Sequence, residues 1–327
     1  MVRGVQTSNG KAFEYACVDS LYKMLSKEQE VTIEASSQLE TAKRFFETAT
    51  GKLKENIIKA ADAASRVIVR LEPQLSYPEG NSPLYLSLQS DAKGQRGDVR
   101  DVLCIRDQNG WEVGFSCKHN HHAVKHSRLS GTIDFGRDWF GIPCSYTYFL
   151  EVGPLFNELS EMRDDSKVRE NPILWASIEN KAERYYKPVL RAFMDEMIRL
   201  DSNHPGIIPE RLIRYLIGRN DFYKVIADDK GKFTRIEAVN IAGTLNTKSG
   251  IHEPLVKVPV LKLPDKIYHI DYKPGSDNTI QIVCNEGWEI SMRIHSASSK
   301  VEPSLKFDVN LISLPSSIYA QAEPWDE

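Results

Sequence analysis

The feature of this chain that most constrains its fold is a pair of apolar segments between Asp101 and Lys118, joined by a short polar turn. The turn, 107–110, reads Asp-Gln-Asn-Gly, and Asn-Gly between two apolar runs is a strong signal for a β-hairpin. The sequence therefore predicts two antiparallel strands, 101–106 and 111–118. The pairing of these strands then determines which side chains share a face.

Successive side chains of a strand point to opposite faces, so the second strand has a core face and a polar face. The core face collects its apolar side chains, Trp111, Val113, Phe115 and Cys117. Ser116 and Lys118 fall on the polar face. If the two residues that flank the turn oppose each other, Asp101 opposes Ser116, and directly opposed residues share a face. The sequence thus predicts that Asp101, Ser116 and Lys118 converge, with Asp101 and Lys118 about 7 Å apart as diagonal neighbours.

Two further carboxylates near this hairpin are expected to lie away from Asp101. Asp98 has the opposite parity and should point to the other side, unless a bulge intervenes. Glu112 shares the parity of Lys118, but at about 3.3 Å per residue it lies about 20 Å away along the strand. Asp98 is therefore only a reserve candidate for the same site.

An aspartate beside a lysine suits the hydrolysis of phosphodiester bonds. The carboxylate can hold Mg²⁺, which polarises a phosphate and lowers the pKa of bound water. The ammonium group can stabilise charge on the phosphate or orient the attacking water. Ion pairs on sheet faces are also common without any catalytic role, so these two residues alone favour a nuclease and a structural hairpin equally.

The segment after the hairpin, 119–137, is rich in histidine and in basic residues. Such a segment can neutralise DNA phosphates near a cleaved bond. The residues predicted to contact DNA are Asn120, His121, His122, Lys125, His126 and Arg128. A zinc site of His119, His121, His122 and His126 is an alternative, but no cysteine or carboxylate completes its ligand set. A solvated helix start is a third interpretation.

The remaining pattern predicts helices in the first 73 residues and between 149 and 218, and mostly strands from 221 onwards. A mixture of this kind indicates an α/β or α+β fold. The sequence Asn-His-Pro-Gly at 203–206 breaks a helix, so we expect two domains, 1–205 and the β-rich 206–327. The acidic tail, 322–327, is expected to be disordered.

Composition excludes several classes of protein. The net charge of −3 argues against a protein that coats nucleic acid indiscriminately, although one cleft can still be basic. No stretch approaches the roughly 18 apolar residues that a membrane-spanning helix needs, and the N-terminus lacks an apolar signal core. The five cysteines are scattered without a Cys-x-x-Cys pair. They predict a protein of the reducing cytoplasm.

The hairpin resembles the PD-(D/E)XK nuclease core, in which an acidic residue opens one strand and an acidic-x-Lys triplet lies on its antiparallel neighbour. Asp101 matches the first acid and Lys118 the lysine, whereas Ser116 stands where the second carboxylate is expected. The phrases GKAFEYA, GDVRDVL, WEVGFSCKHNHHAVKHSRLS and IDFGRDWFGIP further resemble the HaeIII-type family of type II restriction endonucleases. This resemblance covers most of residues 10–160.

The resemblance implies a restriction-endonuclease-like fold, in which a mixed central sheet flanked by helices forms a nuclease core within 1–205. The β-rich region 206–327 would then supply DNA recognition. It also implies Mg²⁺-dependent cleavage of double-stranded DNA at a short palindrome, GGCC, and a DNA methyltransferase as functional partner. Because a palindrome needs two symmetric cuts, a homodimer is expected. In such enzymes a neighbouring helix supplies the missing acid, for which Glu14 is preferred over Asp98 and Asp134.

Two other functions fit the same residues. One is a repair-type nuclease that uses this core without sequence preference. The other is a DNA-binding module whose nuclease centre has decayed, and the serine at position 116 favours it.

Overall fold

The structure is a computed structural model that describes residues 3–80, 82–89, 98–120, 125–168 and 171–326. Its helices are α1 (Arg3–Leu25), α2 (Ser37–Thr48), α3 (Gly51–Leu71), α4 (Pro73–Ser76), α5 (Tyr146–Val168), α6 (Lys187–Asn203) and α7 (Ile208–Ile217). Its strands are β1 (Val31–Ile33), β2 (Leu84–Leu88), β3 (Val102–Arg106), β4 (Trp111–His119), β5 (Lys125–Leu129), β6 (Phe222–Asp228), β7 (Phe233–Val239), β8 (Ile267–Tyr272), β9 (Thr279–Cys284), β10 (Glu289–Ser296), β11 (Leu305–Ser313) and β12 (Ala320–Pro324). The predicted α+β fold is confirmed.

The chain forms two compact units, and each is assembled from separate stretches of sequence. The first unit comprises Met1–His122, Arg219–Leu261 and Ser317–Glu327, and the second comprises Ala123–Gly218 and Lys262–Ser316. The single boundary expected near residue 205 therefore lies inside the second unit. The sequence marks the local helix break at that point, but the return of later strands to the first unit depends on pairing between distant segments.

The first unit is built on a seven-stranded mixed sheet with the order β1-β2-β3-β4-β6-β7-β12. β1 pairs in parallel with β2, and β4 pairs in parallel with β6, while the other neighbours are antiparallel. The apolar side chains of one sheet face form a core with α1, α2 and α3. In β4 this face comprises Trp111, Val113, Phe115 and Cys117, as the alternation predicted.

The hairpin between β3 and β4 has the predicted register. Arg106 pairs with Trp111, and Leu103 pairs with Gly114. Gly110 ends the turn with φ of 64°, a left-handed conformation that glycine adopts without steric cost. Local turn chemistry thus aligns Asp101 with Ser116 before any contact with the rest of the molecule is considered.

Helix α1 packs its apolar side against this sheet. The side chains that make the contact, Phe13, Ala16, Cys17 and Leu21, are each less than 5% exposed. They recur at the three- and four-residue spacing of one helix face. Because Glu14 lies next to this stripe, packing of α1 brings its carboxyl group to the edge of the core.

Residues 322–326 of the acidic tail are ordered, so the prediction of disorder was wrong for them. β12 pairs with β7 in antiparallel fashion, and the Trp325 side chain that follows it is 7% exposed. The indole Nε1 of Trp325 donates a hydrogen bond to Thr234 Oγ1 at 2.8 Å. One buried aromatic residue anchors a segment whose acidic composition suggested a solvated chain end.

The second unit contains a five-stranded antiparallel sheet with the order β5-β11-β10-β9-β8, together with α5, α6 and α7. Its core is rich in aromatic contacts, in which the Phe193 ring lies 4.7 Å from Phe135 and 5.2 Å from Phe307. Across the ranges described in both units, no helix has the length and apolar character to span a membrane.

One buried carboxyl group makes the stability of the first unit dependent on pH. Glu72 is 0% exposed, and its Oε1 accepts hydrogen bonds from Tyr223 Oη at 2.6 Å and from the Asn246 backbone at 2.7 Å. Burial raises its pKa from 4.5 to about 7, although both hydrogen bonds oppose this change. A pKa that is higher in the folded state contributes stability below pH 4.5, and this contribution is lost as pH rises to about 7.

We therefore expect Glu72→Gln to weaken the fall in unfolding free energy between pH 4.5 and pH 7. At about 1.4 kcal/mol per pKa unit, the glutamate accounts for roughly 3 kcal/mol of that fall. Urea denaturation of both proteins at several pH values across this window measures the difference. Identical pH dependence in the variant and the parent would contradict the assignment.

Candidate active site

The structure brings Asp101, Ser116 and Lys118 together at the start of β3 and the end of β4. Asp101 Oδ2 accepts a hydrogen bond from the Cys117 backbone N–H at 2.7 Å. The same oxygen lies 3.5 Å from Lys118 Nζ and 3.5 Å from Ser116 Oγ. The Asp101 and Lys118 side chains are 23% and 25% exposed, so the pair is held by the sheet and still open to solvent. This arrangement can receive a substrate.

Glu14 of α1, the acid preferred from the sequence, is a buried carboxyl group that interacts electrostatically with Asp101 and Lys118. Its side chain is 10% exposed, and its Oε2 accepts a hydrogen bond from Lys11 Nζ at 3.0 Å. Burial and, less strongly, the negative charge of Asp101 raise the pKa of Glu14 to about 7, against the opposing effects of Lys11 and Lys118. Glu14 thus lies within electrostatic range of both Asp101 and Lys118.

Asp98, the reserve candidate, belongs to a separate ion-pair cluster. Its carboxylate accepts hydrogen bonds from Arg100 Nε and Nη2, both at 2.8 Å, and from Gln89 Nε2 at 3.0 Å. Burial opposes the change, but these bonds lower the pKa of Asp98 to about 2. Arg100 also donates to Glu112 at 2.6 Å, and it crosses Gly114, where an added Cβ would lie 2.2 Å from Arg100 Cδ. Asp98 and Glu112 therefore both form ion pairs with Arg100.

Asp134, the other alternative acid, has a local role in the second unit. Its Oδ1 accepts hydrogen bonds from the backbone N–H groups of Arg137 at 3.0 Å and Cys144 at 2.9 Å. Although burial opposes the change, these bonds lower the pKa of Asp134. The Asp134 carboxylate thus stabilises the segment 134–144, which contains both of its backbone donors.

His119 and Asn120 connect the end of β4 to the turn between β6 and β7. His119 Nε2 lies 3.2 Å from Asp229 Oδ2. Asn120 donates from Nδ2 to Asp229 Oδ2 at 2.9 Å, and its Oδ1 accepts from the Asp229 backbone N–H at 3.1 Å. Asn120 has φ of 52°, a left-handed conformation that asparagine tolerates. These contacts link the end of β4 to Asp229 in the turn between β6 and β7.

The other predicted DNA contacts are only partly described. His121 and His122 lie outside the described residues, as do the side chains of Lys125 and His126 at the start of β5. The Arg128 side chain is exposed on β5 and donates from Nη1 to Ser304 Oγ at 3.1 Å. Contact between this segment and DNA stays a prediction.

Sequence reasoning missed a second lysine beside the site. β6 pairs in parallel with β4, and Lys224 is in register with Ser116. The Lys224 side chain is 11% exposed, and its Nζ lies 4.0 Å from Glu237 Oε2 on β7. A single lysine inside the otherwise uncharged run 222–227 was the available signal, because a buried lysine is rare without a specific reason.

The side chains around Asp101 do not form a complete metal site, but they suit a hard divalent cation that keeps some of its water ligands. Among the residues that the structure describes, no group of three or more His, Cys, Asp or Glu side chains could hold a metal ion. Asp101 and Glu14 would supply two carboxylates at most. Mg²⁺ typically keeps several water ligands and binds through one or two carboxylates together with substrate phosphates. Zinc would require a more complete set of protein ligands.

Comparison with known proteins agrees with this chemistry. Residues 10–315 match the family model of the HaeIII restriction endonuclease. The chain is 40% identical over 319 residues to the type II restriction enzyme HaeIII of Haemophilus aegyptius, which covers 98% of both chains. No solved structure matches the chain. Type II restriction endonucleases cut double-stranded DNA and generally need a divalent metal ion. The chain therefore belongs to the HaeIII restriction endonuclease family, a family of type II site-specific deoxyribonucleases.

Proposed function

We propose that this protein uses Mg²⁺ to cleave double-stranded DNA at a short palindrome, GGCC being the sequence that the family resemblance implies. The observation that carries the proposal is the meeting of Asp101 and Lys118 at 3.5 Å on adjoining strands, with Glu14 in electrostatic range of both. Membership of a restriction endonuclease family supports the same conclusion.

In this proposal Asp101 and Glu14 hold the metal ion. When bound, Mg²⁺ polarises the phosphate and lowers the pKa of its water ligand. The partly exposed Lys118 ammonium orients the attacking water and stabilises the negative charge that develops on the phosphate. Ser116 adds no charge, and its hydroxyl helps to position the Asp101 carboxylate.

The basic segment after β4 is proposed to hold the DNA backbone. Its contacts would come from Asn120, His121, His122, Lys125, His126 and Arg128. Such phosphate contacts set the orientation of the protein on the duplex, whereas base contacts set the sequence preference. We assign the base contacts to the β-rich region that follows residue 205.

Two partners and a location complete the proposal. Because both strands of a palindrome must be cut, we infer a homodimer with one site for each strand. A DNA methyltransferase that modifies the same sequence would protect the host genome. The five cysteines are all free, which fits the reducing cytoplasm.

Digestion of a plasmid of known sequence with Mg²⁺ tests this proposal. We expect discrete fragments whose ends all map to GGCC, no cutting in EDTA, and resistance of the same plasmid after methylation at GGCC. Fragments with scattered ends would instead indicate a repair-type nuclease. A solution mass equal to that of a single chain, measured by light scattering, would contradict the homodimer.

A further inference from the structure

The five-stranded sheet of the second unit has an apolar face and a polar face. The alternate side chains of β10 and β11 that are 0% exposed are Ile290, Met292, Ile294, Phe307 and Val309. The side chains between them point to the other side of the sheet, because successive residues of a strand alternate. This polar sheet face carries Ser291, Arg293 and His295 on β10 and Lys306, Asp308 and Asn310 on β11. These residue types are able to bond base edges and phosphates of DNA.

Arg293 projects from the middle of the polar sheet face. β10 is the central strand of the sheet, and Arg293 pairs with Asp308 on β11 and with Thr279 on β9. The Arg293 side chain is 56% exposed. Its neighbours Thr279 and Ser291 are short, so the guanidinium group stands above the surface around it. A long side chain in this position can reach into a DNA groove that the sheet itself does not enter.

The Asp308 carboxylate holds the Arg293 guanidinium in one direction. Asp308 Oδ2 accepts a hydrogen bond from Arg293 Nη2 at 2.7 Å, and Asp308 Oδ1 lies 3.2 Å from His295 Nε2. The positive charge of Arg293 also acts on the Tyr186 hydroxyl group. Because a guanidinium carries five N–H donors, Arg293 can keep its bond to Asp308 and still donate to a ligand. An arginine that is already held in place loses less rotamer freedom when it binds.

The ion pair with Asp308 makes a base edge a better ligand for Arg293 than a phosphate. The carboxylate neutralises part of the charge of Arg293 and would repel a phosphate placed beside it. The major-groove edge of guanine is uncharged, and it presents two acceptors, O6 and N7, to which an arginine can donate two parallel hydrogen bonds. At this position the direction of the donors therefore matters more than their charge.

We propose that Arg293 reads one guanine of the recognition sequence through O6 and N7 in the major groove. Asp308 is the positioning residue that aligns the guanidinium. This inference rests on the proposed function, in which the region after residue 205 makes the base contacts. A sequence such as GGCC offers two guanines on each strand to such a side chain.

Substrates that contain 7-deazaguanine test this contact, because that base lacks the N7 acceptor and still pairs with cytosine. The duplex carries the sequence at which the parent cuts, and its guanines are replaced one at a time. At the guanine that Arg293 reads, we expect kcat/KM of the parent to fall about 10- to 100-fold, the effect of losing one hydrogen bond to a charged group. Arg293→Ala should lose about 10- to 100-fold on the natural duplex and should no longer respond to 7-deazaguanine at that position.

Two further variants control this experiment. Arg128→Ala removes an arginine that we assign to the DNA backbone, and it should lower kcat/KM equally on natural and substituted duplexes. Arg293→Met keeps an apolar stem without the guanidinium, and it provides the same test if Arg293→Ala fails to fold.

Three outcomes would count against the assignment of Arg293. This inference alone would be overturned if the parent cut every 7-deazaguanine duplex at its normal rate. The same conclusion would follow if the Arg293 variant retained the sensitivity of the parent at every guanine, or cut the natural duplex as fast as the parent does. A parent that cuts at no defined sequence would overturn the proposed function as well.

Discussion

Replacing Asp101 by asparagine is expected to slow DNA cleavage by about a thousandfold, which corresponds to roughly 4 kcal/mol in the barrier. Asparagine has nearly the same shape, and its amide oxygen can still accept the 2.7 Å hydrogen bond from the Cys117 backbone. The substitution removes the negative charge that we assign to metal binding, and with it the ion pair to Lys118. The rate of single-turnover cleavage in Mg²⁺ should therefore fall, and so should the affinity for Mn²⁺ measured by calorimetry. The unfolding temperature should stay close to that of the parent.

Two matched variants identify the second carboxylate. Glu14→Gln should lose metal binding as Asp101→Asn does, because we assign both carboxyl groups to the same metal ion. Asp98→Asn should retain it, since Asp98 is committed to Arg100 and Gln89. Loss of metal binding in Asp98→Asn with normal binding in Glu14→Gln would reverse this assignment.

Lys118→Ala is expected to reduce cleavage by about a hundred- to a thousandfold, the range seen when one preorganised group that stabilises a transition state is removed. DNA binding in EDTA should persist, because most of the affinity comes from other phosphate contacts. This combination would exclude a DNA-binding module with a decayed nuclease centre. Nitrocellulose filter binding and a time course of plasmid cutting provide the two measurements.

The control for this prediction is Lys27→Ala, which removes an exposed lysine of the first unit and should cut as the parent does. If Lys118→Ala and the parent have the same activity, Lys118 has no catalytic role. A parent that binds DNA but does not cut it would favour the decayed module.

Part of the active site was predictable because it depends on local structure. The turn at 107–110 and the alternation of apolar residues specify the register of the hairpin, and that register brings Asp101 to Ser116 and Lys118. The preference for Glu14 came from family resemblance rather than from spacing. The structure supports its location beside Asp101 through the packing of α1 on the sheet.

The sequence by itself determined the hairpin, the polar face of β4 and the α+β class, since turn chemistry and side-chain alternation act between near neighbours in the chain. Only the tertiary structure decided that β6 and β12 join the first sheet, that Lys224 stands beside Ser116, and that Trp325 anchors the tail. These features depend on pairing and burial between segments that are far apart in sequence. The free energy of such contacts depends on the packed surroundings of each residue, which the order of residues along the chain does not display.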